Sequence, residues 1–238
     1  MISSNKKRQG AILITGGTGT LGAALTRALI EDGFELFVNF SHDEVRAARL
    51  QEETGCQLRR ANVSDEKAVI ELFESLPPLF AIIHGAAITR DALLLRQLPS
   101  DWQETIKVNL TGAFLVARGA LQKVESGGRL IFLVSRVGER GAGGQSVYSA
   151  TKAATIALMK CAARESAERL SINAICPPFV PSALAGKLDE KALAALKQQS
   201  LNKRCGDASS LIGATRWLLS ENGAGVSGQV IHCDDRIL

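Results

Sequence analysis

No Cys-x-x-Cys pair, no cluster of histidines, no long basic block and no apolar run of membrane-spanning length occurs in this sequence. Each absence closes off a class of function. The five cysteines, Cys56, Cys161, Cys176, Cys205 and Cys233, are odd in number and widely scattered, which points to reduced thiols and a cytoplasmic location. His42, His84 and His232 lie far apart, so no metal site is expected. The 28 basic and 24 acidic side chains give a net charge of +4 and are spread along the chain; nucleic acid is not an expected partner. Lys6-Lys7-Arg8 precedes an apolar run that stops at Gly16, too short for a signal-peptide core. Nothing approaches the length needed to cross a bilayer. There is no internal repeat, low-complexity tract or linker, and tyrosine occurs once, at position 148.

What is present reads as one α/β domain. The chain has 238 residues, 46% of them apolar and 22% charged, enough to bury a substantial core. Residues 1–9 read as a flexible tail. Ala11-Ile12-Leu13-Ile14-Thr15 is a short apolar strand pattern, followed by Gly16-Gly17-Thr18-Gly19-Thr20-Leu21-Gly22 and a helical pattern to Ile30. Gly17, Gly19 and Gly22 have the G-x-G-x-x-G spacing, which allows a tight turn, close approach to a pyrophosphate and close helix packing. The helix start then directs unpaired amides at the phosphates. A second strand over 35–40 ends in Asn39-Phe40-Ser41. An Asp or Glu there would bind the 2′-hydroxyl of NAD; none stands there. Asp43 reads as a helix N-cap, and His42 and Arg46 could face a 2′-phosphate. NADP(H) is therefore favoured over NAD(H).

Strand and helix patterns keep alternating, with strands over 57–61, 79–84, 129–134, 171–175 and 229–232, and helices over 65–75, 101–121 and 146–170. Such alternation predicts a Rossmann-type, doubly wound parallel sheet of about seven strands with helices on both faces. Ligands of such sheets collect at the carboxyl ends of the strands. That rule picks out the glycine turn, His84 to Ala87, Ser135 and Pro177-Pro178. Tyr148 and Lys152 lie four apart, on one face of a helix, where an ammonium would lower the phenol pKa.

These landmarks, in order and over nearly the whole chain, resemble the short-chain dehydrogenase/reductase family. Thr15-Gly16 begins its glycine motif, Asn62-Val63 resembles the adenine-side Asp-Val, and His84-Gly85-Ala86-Ala87 stands where the family has Asn-Asn-Ala-Gly. Asn109, Ser135, Tyr148 and Lys152 match the catalytic Asn-Ser-Tyr-Lys tetrad. The likeness is strongest to bacterial 3-oxoacyl-acyl-carrier-protein reductases, through Ile88-Thr89-Arg90-Asp91, Gly144-Gln145 and Ser227-Gly228-Gln229-Val230. It implies NADPH-dependent reduction of a 3-oxoacyl thioester in fatty acid or polyketide-like biosynthesis. Reduction or oxidation of a free ketone or alcohol is the alternative, and an inactive cofactor-binding partner or regulator a further one.

The resemblance also assigns roles. Tyr148 is the general acid, Ser135 positions the carbonyl, Lys152 holds the nicotinamide ribose, and Asn109 supports a water-linked proton path to Lys152. Cofactor contacts are implied at Gly16, Gly17, Gly19, Leu21 and Gly22 around the phosphates. Asn39, Ser41, His42, Asn62 and Val63 are expected on the adenosine side. His84, Gly85, Ala86, Tyr148, Lys152, Pro177, Val180 and Ser182 are expected toward the nicotinamide. Arg169 stands where the reductases carry a basic residue that docks the acidic carrier protein; Arg136 and Arg140 are candidates for a carrier or carboxylate, or for a solvated loop. Ala153, Ala154, Ala157 and Ala162 are small enough for close helix packing, which with the likeness implies a homodimer or homotetramer. Departures are Thr20 for the usual third glycine, which leaves Gly19 to take any left-handed conformation, His84 with its titratable ring, Pro178 for glycine, and Asp235 for glycine.

Overall fold

A computed structural model describes residues 10–166, 168–181, 190–198 and 200–234. The expected tail over 1–9, Ser182 and Asp235 lie outside the described residues. The elements follow in order as β1 (Ala11–Thr15), α1 (Thr20–Glu31), β2 (Glu35–Phe40), α2 (Glu44–Thr54), β3 (Gln57–Arg60), α3 (Glu66–Glu74) and β4 (Leu79–His84). Then come α4 (Pro99–Ile106), α5 (Gly112–Lys123), β5 (Val124–Leu133), α6 (Val137–Arg140), α7 (Ser146–Glu165), β6 (Ser171–Cys176), α8 (Glu190–Gln198), α9 (Ser209–Leu219) and β7 (Val230–His232). The seven strands form one parallel sheet in the order β3-β2-β1-β4-β5-β6-β7, as the alternating pattern predicts.

Why the strands are so apolar follows from the two faces. Along β1, Leu13 packs into one core with Phe37, Val116 and Phe132, while Ile12 and Ile14 enter a second core with Val38, Ile83 and Leu218. A strand buried on both sides cannot alternate apolar with polar residues, hence the continuous run Ala11–Thr15. The helices that cover it are capped by sequence. Asp43 accepts from the Arg46 amide at the start of α2, and Gly55 ends that helix at φ +73°; Asp65 accepts from the amides of Lys67 and Ala68 at α3. The Asp43 cap is legible in the sequence.

Two boundaries differ from the sequence pattern. The single helix expected over 101–121 is interrupted by a five-residue π turn, Lys107–Thr111, between α4 and α5. Hydrophobic periodicity is nearly blind to one wide turn, but the turn presents Asn109, 2% exposed, to the loop after β4. β5 begins at Val124 rather than 129, and its register against β4 shifts between Leu79 and Ala81 beside Gly127 at φ +83°. Among the described residues no helix is long and apolar enough to cross a membrane.

Phe132 is fully buried in the middle of the sheet, so Phe132→Ala should destabilise the fold by about 3–5 kcal/mol, read from the chemical-denaturation midpoint at unchanged slope.

Candidate active site

Where β1 ends, the chain must turn sharply to start α1. Gly16 does this at φ +65°, and a Cβ on it would lie 2.7 Å from the Ala86 Cα. The left-handed position thus falls to Gly16. Gly19, expected to hold it, has φ −69° and is the N-cap of α1. That removes the difficulty raised by Thr20, which simply opens the helix in ordinary conformation. No side chain caps α1 and no acid stands in its first turn, which leaves its amides for an anion. A Cβ on Gly22 would sit 2.6 Å from the Gly16 carbonyl oxygen, so helix and turn meet this closely only because Gly22 has no side chain.

This cradle is one part of a cleft at the carboxyl edge of the sheet, beside β1 and β4. Ser41 and Arg46 line one end, Gly16, Gly19, Leu21 and Gly22 the floor, and Tyr148, Lys152 and Pro177 the other end. The residues fit a dinucleotide: an uncapped helix start for phosphates lies between two polar ends. At one end, the Lys152 ammonium donates to the Leu133 carbonyl at 2.9 Å and lies 5.6 Å from the centre of the Tyr148 ring. Burial pulls the lysine pKa down to about 8, with Cys176 opposing; at neutral pH it keeps its proton.

Burial dominates Tyr148 too and raises its pKa above the ordinary phenol range. Asp91 and Cys176 push the same way, and only a hydrogen bond with the Ser135 hydroxyl opposes them. Lysine was expected to lower the phenol pKa. In this site the ammonium is hydrogen-bonded to the Leu133 carbonyl at the end of β5, and burial sets the direction of the phenol shift. The phenol is a neutral acid.

Asn109 sits behind this group rather than in the cleft. Its Oδ1 accepts from the Ile88 amide at 2.8 Å, and its Nδ2 donates to the Ile88 carbonyl at 2.9 Å and the Thr151 hydroxyl at 3.2 Å. Thr151 in turn donates to the Tyr148 carbonyl at 2.8 Å. The asparagine side chain therefore ties the loop after β4 to the tyrosine helix.

The enoyl-(acyl carrier protein) reductase family model matches residues 17–235. The chain is 33% identical over 240 residues to the 3-oxoacyl-[acyl-carrier-protein] reductase FabG of Aquifex aeolicus, covering 95% of this chain and 96% of that one. The chain belongs to the short-chain dehydrogenase/reductase family. It is 34% identical over 188 residues to the acetoacetyl-CoA reductase of Paracoccus denitrificans, covering 76% of this chain and 78% of that one. The fold matches that of BdcA in complex with NADPH at a TM-score of 0.89 and 24% identity, over 96% of this chain and 94% of that one. It also matches a short chain dehydrogenase from Burkholderia cenocepacia in complex with NADP at 0.87 and 22%, over 98% and 99%. As a short-chain dehydrogenase/reductase the protein is an NAD(P)H-dependent oxidoreductase.

Several residues expected to contact the cofactor also hold the framework of the site. Asn39 is 2% exposed and donates to the carbonyls of Arg59 and Ala61, at 3.2 and 2.9 Å; it joins β2 to the end of β3. His42 is exposed and off the cleft wall, where Arg46 stands. Gly17 packs under Val38, and Val63 packs against Gly112. Asn62 accepts from the Ser64 amide and hydroxyl. Ala86 and Val180 are off the wall, though Gly85 and Ala87 are on it. His84 is 3% exposed, its Nδ1 paired with the Thr15 hydroxyl at 2.8 Å. Burial first, then Lys152, lowers its pKa to about 3, so the ring stays neutral and does not act as a titrating group beside the cleft. Pro178 is buried and packs against Gly206.

The three arginines part company. Arg136 is 1% exposed and ion-paired to Asp234 at 3.0 Å, so it is not a surface contact. Arg169 donates to the carbonyls of Leu121 and Val124, at 2.9 and 3.1 Å, fastening the end of α5. Arg140 is exposed. Phe40, Leu133 and Val134 line the cleft without having been expected; only their adjacency to motif residues and strand ends could have signalled them.

Because Tyr148 is the only tyrosine, phenolate ultraviolet absorbance reports it alone. The folded protein should ionise this phenol above the ordinary midpoint of about 10. Asp91→Asn, which removes a negative charge that favours the neutral phenol, should lower that midpoint; an unchanged midpoint would show that solvent screens Asp91 completely.

Proposed function

We propose that this protein is an NADPH-dependent reductase that converts a 3-oxoacyl thioester to the 3-hydroxyacyl thioester. The observation that carries the reading is a buried phenol beside a buried lysine in a cleft that the glycine turn also lines. Identity of 31–34% to 3-oxoacyl-[acyl-carrier-protein] and acetoacetyl-CoA reductases supports the substrate class. For the cofactor, the support is the absence of a carboxylate at the end of β2 and the presence of Arg46 on the cleft wall, 3.1 Å from Asp43. A 2′-phosphate would share Arg46 with that carboxylate. Gly16, Gly19, Leu21 and Gly22 would hold the pyrophosphate, and Lys152 and Pro177 the nicotinamide end.

When bound, the reduced nicotinamide supplies the hydride. Hydride addition leaves negative charge on the carbonyl oxygen, and what the chain must do is neutralise it. The Tyr148 hydroxyl donates its proton to that oxygen, and a phenol held neutral by burial is in the right state to do so. The Ser135 hydroxyl, already bonded to Tyr148, donates a second hydrogen bond that fixes the carbonyl. Lys152 keeps a positive charge beside the phenol while the proton leaves. Asn109 fixes the loop that walls the substrate side, through Ile88.

An acidic acyl carrier protein is the proposed carrier of the substrate, with Arg140 and Arg169 as its contacts; burial removes Arg136 from that surface. Exposed Ala153 and Ala157 on α7, with Phe114 on α5 46% exposed, support a homodimer or homotetramer built on these helices, whereas buried Ala162 packs inward.

The deciding assay follows NADPH and NADH consumption with an acetoacetyl thioester, on carrier protein and on coenzyme A, beside simple ketones. Turnover of the thioesters with NADPH is expected. Turnover of simple ketones alone would move the substrate to the free-ketone class, and preference for NADH would overturn the role of Arg46. Tyr148→Phe should lower kcat at least about a hundredfold while NADPH still binds. The kcat/KM of reduction should fall as pH rises through about 8, where Lys152 loses its proton.

A further inference from the structure

Arg136 follows Ser135 directly and is the largest fully buried side chain among the described residues. Its Nη1 donates to Asp234 Oδ1 at 3.0 Å, with the two side chains 1% and 3% exposed, and its Nε has no partner. Asp234 stands just beyond β7. A second contact joins the same two regions: Glu139 of α6 lies 3.2 Å from the His232 imidazole of β7 at the surface. On its other side α6 rests on α7, where a Cβ on Gly138 would come within 2.9 Å of Lys152 and the Ala153 amide. Thus the turn that starts at Ser135 is gripped between the lysine of the site and the end of β7.

A buried ion pair adds little stability over apolar residues of the same volume, because desolvating two charges offsets their attraction. Such a pair fixes geometry, since neither charge tolerates separation. We propose that Arg136 and Asp234 are positioning residues for Ser135: the segment after β7 locks the serine-bearing turn so that its hydroxyl stays aimed at the substrate carbonyl. The inference rests on the reading of Ser135 as the group that orients that carbonyl. It makes the end of β7 part of the active-site frame, although no atom of it lines the cleft.

The test uses the full chain and four variants: Arg136→Lys, the double variant Arg136→Met with Asp234→Leu, Ser135→Ala, and Ser135→Ala combined with Arg136→Lys. The double variant removes both charges and should melt near the parent; lysine keeps the cation but not the planar fork. In each, NADPH affinity should hold within about twofold while kcat falls about ten- to a hundredfold, the scale of a slightly misplaced catalytic group. Adding Arg136→Lys to Ser135→Ala should cost nothing further, because residues acting through one group are not additive. The proposal is overturned if kcat in either folded Arg136 variant stays within about threefold of the parent, or if the losses with Ser135→Ala simply multiply. Should the double variant fail to fold, Arg136→Lys and its combination with Ser135→Ala decide. A Ser135→Ala variant with full kcat would instead sink the reading of the serine itself, so the two failures are distinct.

Discussion

An ammonium taken out of water must be given something in exchange, and in this protein the exchange is the hydrogen bond from Lys152 to the Leu133 carbonyl. That bond fastens α7 to the last residue of β5, at the edge of the sheet where the cleft opens. One turn earlier on the same helix face, Tyr148 is set beside the lysine with its phenol buried. The turn after Ser135 can reach the serine to the phenol only because Gly138 leaves room for Lys152. Tyrosine, serine and the α6 turn are thus all placed relative to one anchored cation.

Much of the remaining order comes from buried polar groups paired inside the protein. Asn109, Asn39 and His84 are each at most 3% exposed, and each is bonded to a backbone carbonyl or a threonine that shapes a loop at the carboxyl edge. Buried polar atoms persist only when paired, so each of these residues commits two distant segments to one arrangement. The same reasoning applies to Arg136, whose carboxylate partner comes from beyond the last strand. A cleft that must hold charged phosphates and a polarised carbonyl gains from walls this rigid.

Family motifs placed these residues at the site but misjudged what several of them touch. A motif records that a residue type occurs at a spacing; it does not record which way the side chain turns. Asn39 closes its strand where the sequence puts it, yet it faces β3. Gly19 sits in the glycine turn, yet Gly16 takes the left-handed conformation, because the backbone there must pass Ala86. Lys152 lies four residues from Tyr148, yet burial decides the phenol pKa. The π turn at Asn109 is hidden for a related reason: one wide turn barely moves the apolar period, and what stabilises it is a loop some twenty residues away.

The sequence by itself determined the order of strands and helices, the parallel sheet, the glycine turn and the positions of Asn109, Ser135, Tyr148 and Lys152. The elements and the glycine turn depend on local periodicity, capping and short spacings, which the chain writes out directly, whereas the four site residues follow from the family resemblance. Only the tertiary structure decided that the phenol is neutral, that His84 does not titrate near neutrality, and that Arg136 is buried. Those outcomes depend on desolvation and on partners brought from afar: Thr15 lies 69 positions from His84, and Asp234 lies 98 from Arg136. No local pattern encodes such a meeting, because its energy exists only once the sheet has brought the two ends together.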